Sequence, residues 1–406
     1  MINGFTLNGA DLDTVLVPRS YFNQGTLWSW GTNNYGQFGD NTLISKSSPV
    51  QTISAGINWK QISAAYGFTS GIKTDGTLWG WGVNNMGGLG TGNLIARSSP
   101  VQTASGTNTW AQVDCGTTIG GGSTATASGS TAAVKTNGQL WMWGKNNYGQ
   151  LGDNTTINKS SPVQTIAGAF TWRQVATNSY GHCGAIKTDG TLWMWGYNVA
   201  GQLGINSTIN QSSPTQTVAG AVTWRSLSMG SFSTAAIKTD GTLWLWGRNS
   251  VGQLGNNTSA NQYSSPIQTI AGGNNWKQVA LSSIFFNSQT TSRPGVTAAI
   301  KTDGTLWVWG GNNYGQLGDN TLINQSSPVQ TISAGTNWKQ VSVNTYVIAS
   351  VKTDGTLWTW GDNTYGQLGD NTLISKSSPI QTIASGYNWN SVSCGYKHVA
   401  ATVWVY

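Results

Sequence analysis

Asp75-Gly76-Thr77-Leu78-Trp79-Gly80-Trp81-Gly82 decides the fold of this chain. Asp-Gly between two apolar, β-prone stretches is a strong signal for a two-residue hairpin turn, because both central positions favour residues that tolerate positive φ. The strand that follows carries two tryptophans at i and i+2, so both side chains point to one face. The Trp-x-Trp phrase occurs seven times, at Trp28/Trp30, Trp79/Trp81, Trp141/Trp143, Trp193/Trp195, Trp244/Trp246, Trp307/Trp309 and Trp358/Trp360. Each copy runs into an Asn-x-x-Gly-Gln-Leu-Gly-like stretch, then Ser-Ser-Pro, then a lone Trp.

Spacing turns the phrase into an architecture. From the first Trp of each doublet to the lone Trp is 31 or 32 residues, and from there to the next doublet 20 or 21, lengthened to 31 in two copies. One unit reads as four short strands: Trp59-Lys60-Gln61-Ile62-Ser63, then Ser70-Gly71-Ile72-Lys73, then the tryptophan strand, then a weaker one near Pro100-Val101-Gln102-Thr103. Four antiparallel strands per unit, seven units and no helical periodicity predict an all-β, seven-bladed β-propeller over residues 23–406, with residues 1–22 as an N-terminal arm. The stretch from Trp389 through Val392, Cys394-Gly395 and His398 to Tyr406 matches the first two strands of a unit, and Gly25-Thr26-Leu27-Trp28 resumes at the third. The closing blade is therefore expected to be shared between the two ends of the chain, which protects the sheet edges. The doublet tryptophans are expected to pack between blades. Each would bury roughly 150–250 Å², worth about 4–6 kcal/mol before chain entropy is charged.

Composition narrows function only broadly. Charged residues make up 8 % of the chain, against roughly 25 % in an average soluble protein. The net charge is +7, much of it one lysine per repeat beside the hairpin turn: Lys73, Lys135, Lys187, Lys238, Lys301 and Lys352. No basic run or aromatic–basic cluster accompanies them, so they read as solvated turn lysines, and nucleic acid is disfavoured as a partner. Cys115, Cys183 and Cys394 fall in different repeats and read as free, buried thiols. No stretch has the length of a membrane span, and the N-terminal stretch lacks the pattern of a Sec signal. Asp40, Asp153, Asp319 and Asp370 recur in Gly-Asp-Asn-Thr segments and read as turn residues in preference to a Ca²⁺ site. No catalytic, metal or cofactor constellation is visible.

The pattern Ala-Ile-Lys-Thr-Asp-Gly-Thr-Leu-Trp-x-Trp-Gly-x-Asn-x-x-Gly-Gln-Leu-Gly resembles the repeat of the regulator of chromosome condensation family, which includes the alpha-tubulin-suppressor-like bacterial proteins. The resemblance implies a seven-bladed propeller of four-stranded blades. The family's founding activity, nucleotide exchange on a small GTPase, is not implied, because its exchange wedge has no counterpart here. Gly395-Tyr396-Lys397-His398 is the clearest copy of the family's Gly-x-x-His. The Gly-Trp-Arg-His-Thr repeats of the family's light-sensing member are replaced by segments such as Trp59-Lys60-Gln61 and Trp172-Arg173-Gln174.

Function is then sought where the repeat is broken. Two insertions, Gly116–Ser130 and Leu281–Gly295, leave from the same point of the unit and should project from one face. The second holds Ile284, Phe285, Phe286 and Arg293, an apolar and cationic group suited to a partner surface. The leading expectation is a non-enzymatic structural or binding module on a virion, a bacteriophage tail appendage or decoration protein that attaches to other virion proteins or a host surface component. It would be assembled in the host cytoplasm, with the N-terminal arm as a docking element. The alternative is a cellular, otherwise cytoplasmic, regulator or scaffold that binds a GTPase or nucleic acid through one face. A glycan-acting enzyme ranks third, for want of clustered carboxylates.

Overall fold

A computed structural model describes residues 25–404, except 54–57, 120–126, 167–170, 179, 219–222, 260, 283–294, 333–334 and 384–387. The arm proposed for residues 1–22 lies outside the described residues. Seven four-stranded antiparallel sheets form a ring. Blade one comprises Trp59–Ala64, Phe68–Lys73, Leu78–Gly82 and Arg97–Gln102, paired in chain order. Blades two to six begin at the strands Trp110–Ile119, Trp172–Thr177, Trp224–Met229, Trp276–Leu281 and Trp338–Val343. In every blade the lone-Trp strand is innermost and lines the central channel.

Blade seven is the shared one. Its inner strands are Asn388–Cys394 and His398–Trp404, and its outer strands are Gly25–Gly31 and Lys46–Gln51. The junction is a full ladder from Gly25↔Trp404 to Gly31↔His398. The ring is thus held shut by hydrogen bonds between the two ends of the chain.

The fourth strand begins earlier than the sequence suggests, at Arg97 in blade one, and Pro100 lies within it. The register slips around that proline, between Gly80↔Val101 and Gly82↔Arg97. A residue without an N–H is tolerated at such a bulge on an outer edge. Each outer edge is also covered by its neighbour. The backbone N–H of Asn41 donates to Ser98 O, and the same bond recurs around the ring to Ser47, Ser160, Ser212, Ser264, Ser326 and Ser377. Six of the seven donors are asparagines with φ between 56° and 61°, a conformation that asparagine adopts more readily than most residues. Ser-Ser-Pro is the receiving end of a blade-to-blade staple.

The core is distributed among the seams. One apolar cluster joins Leu140, Met142 and Leu151 of blade two to Trp172, Val175 and Trp195 of blade three, and equivalent clusters repeat around the ring.

Candidate functional site

The doublet tryptophans divide into two roles. The second of each pair, Trp30, Trp81, Trp143, Trp195, Trp246, Trp309 and Trp360, is fully buried. Its indole N–H donates at 2.9 Å to a backbone carbonyl of the preceding blade's Gly-Gln-Leu-Gly segment, Gln150 O for Trp195. The lone Trp of the same blade packs on it with ring centroids 5.4–6.3 Å apart. Gly152 lies against the indole of Trp195 at φ +63°, and a Cβ there would stand 3.0 Å from Nε1. The glycine permits the close approach of backbone to ring.

The first Trp of each pair, Trp28, Trp79, Trp141, Trp193, Trp244, Trp307 and Trp358, is only half-buried. All but Trp28 carry the repeat lysine, which Val403 replaces in blade seven. Nζ of Lys73 stands 5.2 Å from the Trp59 ring and 4.3 Å from the Trp79 ring. The same sandwich holds Lys135, Lys187, Lys238, Lys301 and Lys352. The reading of these residues as solvated turn lysines is corrected. Each ammonium sits over two electron-rich ring faces, an arrangement worth about 0.5–2 kcal/mol.

Inside the channel, polar side chains bridge neighbouring blades. Gln61 donates from Nε2 to Val113 O at 3.0 Å and accepts from Val113 N at 3.1 Å. Gln112, Gln278 and Gln340 repeat this two-bond clamp. Blade four has Ser226 in that place, and its buried hydroxyl finds no partner among the described residues. Two residues further along, Ser63, Ser342 and Ser393 accept from the next blade's backbone N–H. Asp114 takes this position in blade two, with Oδ1 accepting from Ser63 Oγ and Oδ2 from Thr177 N. Its depth in the ring pushes the carboxyl up to about 6, against the hydrogen bonds that favour the anion, although part of its surface still faces the channel. The cavity, about 300 Å³, is lined almost wholly by groups already committed to blade contacts.

The Gly-Asp-Asn-Thr carboxylates are likewise committed. Asp40 Oδ1 accepts from Asn33 Nδ2 and from the backbone N–H and hydroxyl of Thr42, and Asp153, Asp319 and Asp370 do the same. Among the described residues no three His, Cys, Asp or Glu gather as a metal site. No helix of the described residues is long and apolar enough to cross a membrane. The three cysteines are free and buried, and burial pushes Cys115 and Cys394 up to about 12.

One end of the ring differs from the repeat. The turn from first to second strand and the loop from third to fourth lie at the same end, as the pair Phe68↔Gly82 and the bond from Val83 N to Gly67 O require. Tyrosines from both connections meet there. One arc runs Tyr314–Tyr346–Tyr396–Tyr66–Tyr35, with successive centroids 5.0, 5.5, 4.8 and 6.1 Å apart, across blades five, six, seven and one. Burial, then the neighbouring Tyr35 and Tyr396, hold the Tyr66 hydroxyl well above the usual phenol range. A second arc, Tyr148–Tyr197–Phe232–Tyr180, serves blades two to four. Within the first arc a cavity of about 110 Å³ is lined by Thr32, Asn34, Tyr35, Gln37, Tyr66, Tyr365, Tyr396 and Lys397. Lys397 Nζ lies 3.9 Å from the Tyr365 ring and 5.2 Å from that of Tyr396.

The outer loops of the same four blades end in apolar pairs, Leu43/Ile44, Leu94/Ile95, Leu322/Ile323 and Leu373/Ile374, each side chain 57–67 % exposed. Blades two and three have Thr156-Ile157 and Thr208-Ile209 instead. Sequence reasoning missed this sector. Part of its signal is present in the Tyr-Gly-Gln of three of its loops, at Tyr35, Tyr314 and Tyr365, but the same phrase at Tyr148 in blade two makes it read as repeat.

Of the sequence-predicted partner residues, Ile284, Phe285, Phe286 and Arg293 lie outside the described residues. The first insertion is corrected from a loop to a longer hairpin in its pairing residues, since the ladder continues from Gly116↔Ser130 to Ile119↔Ala127. Both insertions leave the ring at the aromatic end, between first and second strands.

Comparison with known proteins agrees with this geometry. The sequence signature described as the regulator of chromosome condensation (RCC1) repeat matches residues 24–72, 75–120, 137–186, 189–237, 240–284, 303–346 and 354–402. The chain is 30 % identical to the ultraviolet-B receptor UVR8 of Arabidopsis thaliana over 57 % of this chain and 51 % of the receptor. It is 24 % identical to the human E3 ubiquitin-protein ligase HERC2 over 93 % of this chain but 8 % of the ligase. It thus spans about half of the one relative and a small part of the other. Among solved structures, human WBSCR16 superposes with a TM-score of 0.78 at 20 % identity, covering 94 % of this chain and 99 % of that one. Prp20p of Saccharomyces cerevisiae, described together with its binding to Gsp1p and histones, gives 0.78 at 16 % identity over 94 % and 92 %. At these identities the two structures share the fold.

Proposed function

The chain belongs to the regulator of chromosome condensation repeat family, and on that premise we propose that it is a non-enzymatic propeller that binds a protein partner through one face, as a regulator or scaffold. The observation that carries this reading is the division of labour within the repeat. The indoles, glutamines, asparagines and carboxylates that recur are committed to contacts between or within blades, and none is left in a reactive grouping. What varies from blade to blade is the aromatic end. Prp20p, which shares this fold, is described by its binding to Gsp1p and histones and in a second structure is bound to Kap60, so protein partners fit the scaffold.

The alternative drawn from sequence, a regulator or scaffold, is carried forward over the virion reading. The relatives above include a photoreceptor and a ubiquitin ligase and no virion component, and nothing in the fold favours a particle. The test is isolation of the tagged full chain from its source cells, followed by size-exclusion chromatography with light scattering of the eluate. A protein partner that co-elutes at fixed stoichiometry and re-forms the complex from purified components supports the proposal. A chain that elutes alone at every salt concentration, or that turns over a substrate, overturns it.

A further inference from the structure

The aromatic end is not evenly built, and its unevenness points to a partner chemistry. The exposed Leu–Ile pairs, the longer tyrosine arc and the small cavity around Lys397 come from independent parts of the repeat, yet all fall on blades five, six, seven and one. Cations join them. Lys46, Arg97 and Lys376 stand two residues after the Leu–Ile pairs of blades seven, one and six, and Lys159 holds the same place in the adjoining blade two, where blades three and five have Gln211 and Gln325 and blade four Tyr263. The carboxylates of this sector turn inward: Asp40, Asp319 and Asp370 are bonded within their own loops, and Asp362 accepts from Thr364 and Gln367. The surface offered outward is apolar and positive.

The cavity sharpens the charge argument. Its lining provides one ammonium, four phenols, amides and a hydroxyl, and no carboxylate. Lys397 has no ion-pair partner among the described residues; it rests on two tyrosine rings. An aromatic cage already holding its own cation has no use for a second one, because like charges repel. It is suited to an anion that approaches the ammonium between phenol hydroxyls. A second copy of this chain is a poor occupant, since a symmetric contact would set the positive sector against itself.

We propose that the sector spanning blades five, six, seven and one is the docking face for an acidic segment of a protein partner, with a Glu or Asp carboxylate entering the Lys397 cavity and apolar neighbours seated on the Leu–Ile pairs. This rests on the protein-binding reading above and adds where and by what chemistry the partner is held.

The probe is a fluorescein-labelled synthetic peptide of alternating Glu-Leu and Glu-Phe units, titrated against the full chain by anisotropy, beside the same peptide with Gln for every Glu. The Glu peptide is expected to bind, and its affinity to fall about tenfold between about 50 mM and about 300 mM salt. Lys397→Met is expected to weaken it about tenfold and Leu43→Ser/Ile44→Ser several-fold, with melting temperatures within a few degrees of the parent. Ile157→Ser/Ile209→Ser, on the other sector, serves as the control and is expected to change nothing. Equal binding of the Gln peptide, or equal loss in the control, overturns the proposal. So does binding to phosphatidylserine vesicles with the same variant dependence and no peptide binding, which assigns the face to anionic lipid. If a purified partner complex survives Lys397→Met and Leu43→Ser/Ile44→Ser unchanged, this inference fails while the protein-binding reading stands.

Discussion

At the scale of single residues, the two tryptophans of one doublet test the division seen in the structure. Trp195 and Trp193 are two residues apart on one strand, yet only Trp195 donates to another blade, to Gln150 O; Trp193 donates locally to Thr191 Oγ1. Replacement by Phe removes the N–H from each. Trp195→Phe leaves a buried carbonyl without its donor and opens space in a seam, and is expected to cost about 2–4 kcal/mol. Trp193→Phe retains a ring under Lys187 and is expected to cost about 1 kcal/mol or less. Urea unfolding of the two variants measures the difference, and equal losses would refute the assignment. The sequence displayed the pair but not this inequality. The acceptor is a main-chain carbonyl 45 residues away, and a carbonyl leaves no mark in a one-letter code.

Titration belongs to the same scale. His182 and His398 are fully buried, and desolvation holds both down to about 3. Unfolded histidine takes up a proton below about 6.5, whereas the folded residues stay neutral until about 3. The unfolded state therefore gains protons first on acidification, and stability is lost as pH falls from 6.5 towards 3. Asp114 has the opposite sign. Its folded value of about 6 lies above its ordinary 3.8, so the folded state keeps a proton the unfolded state has lost, and that contribution disappears as pH rises through 6. Asp114→Asn is thus expected to raise the melting temperature, relative to the parent, more at pH 7 than at pH 4, while His398→Gln flattens the parent's acid limb. Thermal melts across that range check both signs.

At the scale of the element, the four strands of each unit were legible because local signals agreed: Asp-Gly turns, the recurring Trp-x-Trp strand and proline at an edge, although the turn is longer than the two residues expected, with Gly76 alone of the pair at positive φ and its N–H donating to Lys73 O. The long staples were not. The Asn-x-x-Gly-Gln-Leu-Gly segment reads as a flexible Gly-rich loop, but in the ring it is rigidly occupied. Asn146 Oδ1 accepts from Leu151 N, its Nδ2 reaches Asp153 and Thr155, and Gln150 O receives the neighbouring indole. The inner strand was equally misleading, since its glutamine looks like a solvent-facing residue until the next blade is placed beside it. Blade four lacks that clamp, and Ser226 leaves a buried hydroxyl unpartnered among the described residues. Ser226→Gln would place an amide opposite Val279, the counterpart of Val113 in blade two. It is expected to stabilise the chain by about 1 kcal/mol, whereas Gln112→Ala, which removes two bonds to Val175, should cost about 1–3 kcal/mol. Chemical denaturation of the two variants decides whether the clamp is a stabilising device. A destabilised Ser226→Gln together with a neutral Gln112→Ala would show that it is not.

At the scale of the whole molecule, a ring differs from an open array of repeats in that its last interface is made by the two ends. Here that interface is seven paired residues between Gly25–Gly31 and His398–Trp404, and it was legible because the terminal segments are complementary pieces of one unit. The strand His398–Trp404 also brings Val399, Ala401 and Val403 to the apolar seam with Trp30 and Trp389. Its loss would strip two faces at once, expose Gly25–Gly31 as a bare edge and leave blade seven with a single inner strand. Deletion of residues 398–406 is therefore expected to lower the melting temperature by about 10 °C or more, to broaden the transition and to promote association through the freed edge. Unfolding should then begin at blades seven and one, as in other quasi-one-dimensional repeats with an uncapped end. Hydrogen exchange read by mass spectrometry locates that opening. A synthetic peptide of residues 398–404 added in excess should restore the melt in proportion to the logarithm of its concentration, since binding only the folded ring stabilises by mass action. A deletion variant that melts like the parent, or whose exchange quickens evenly around the ring, would show that the seams alone hold the propeller closed and that the shared blade contributes little.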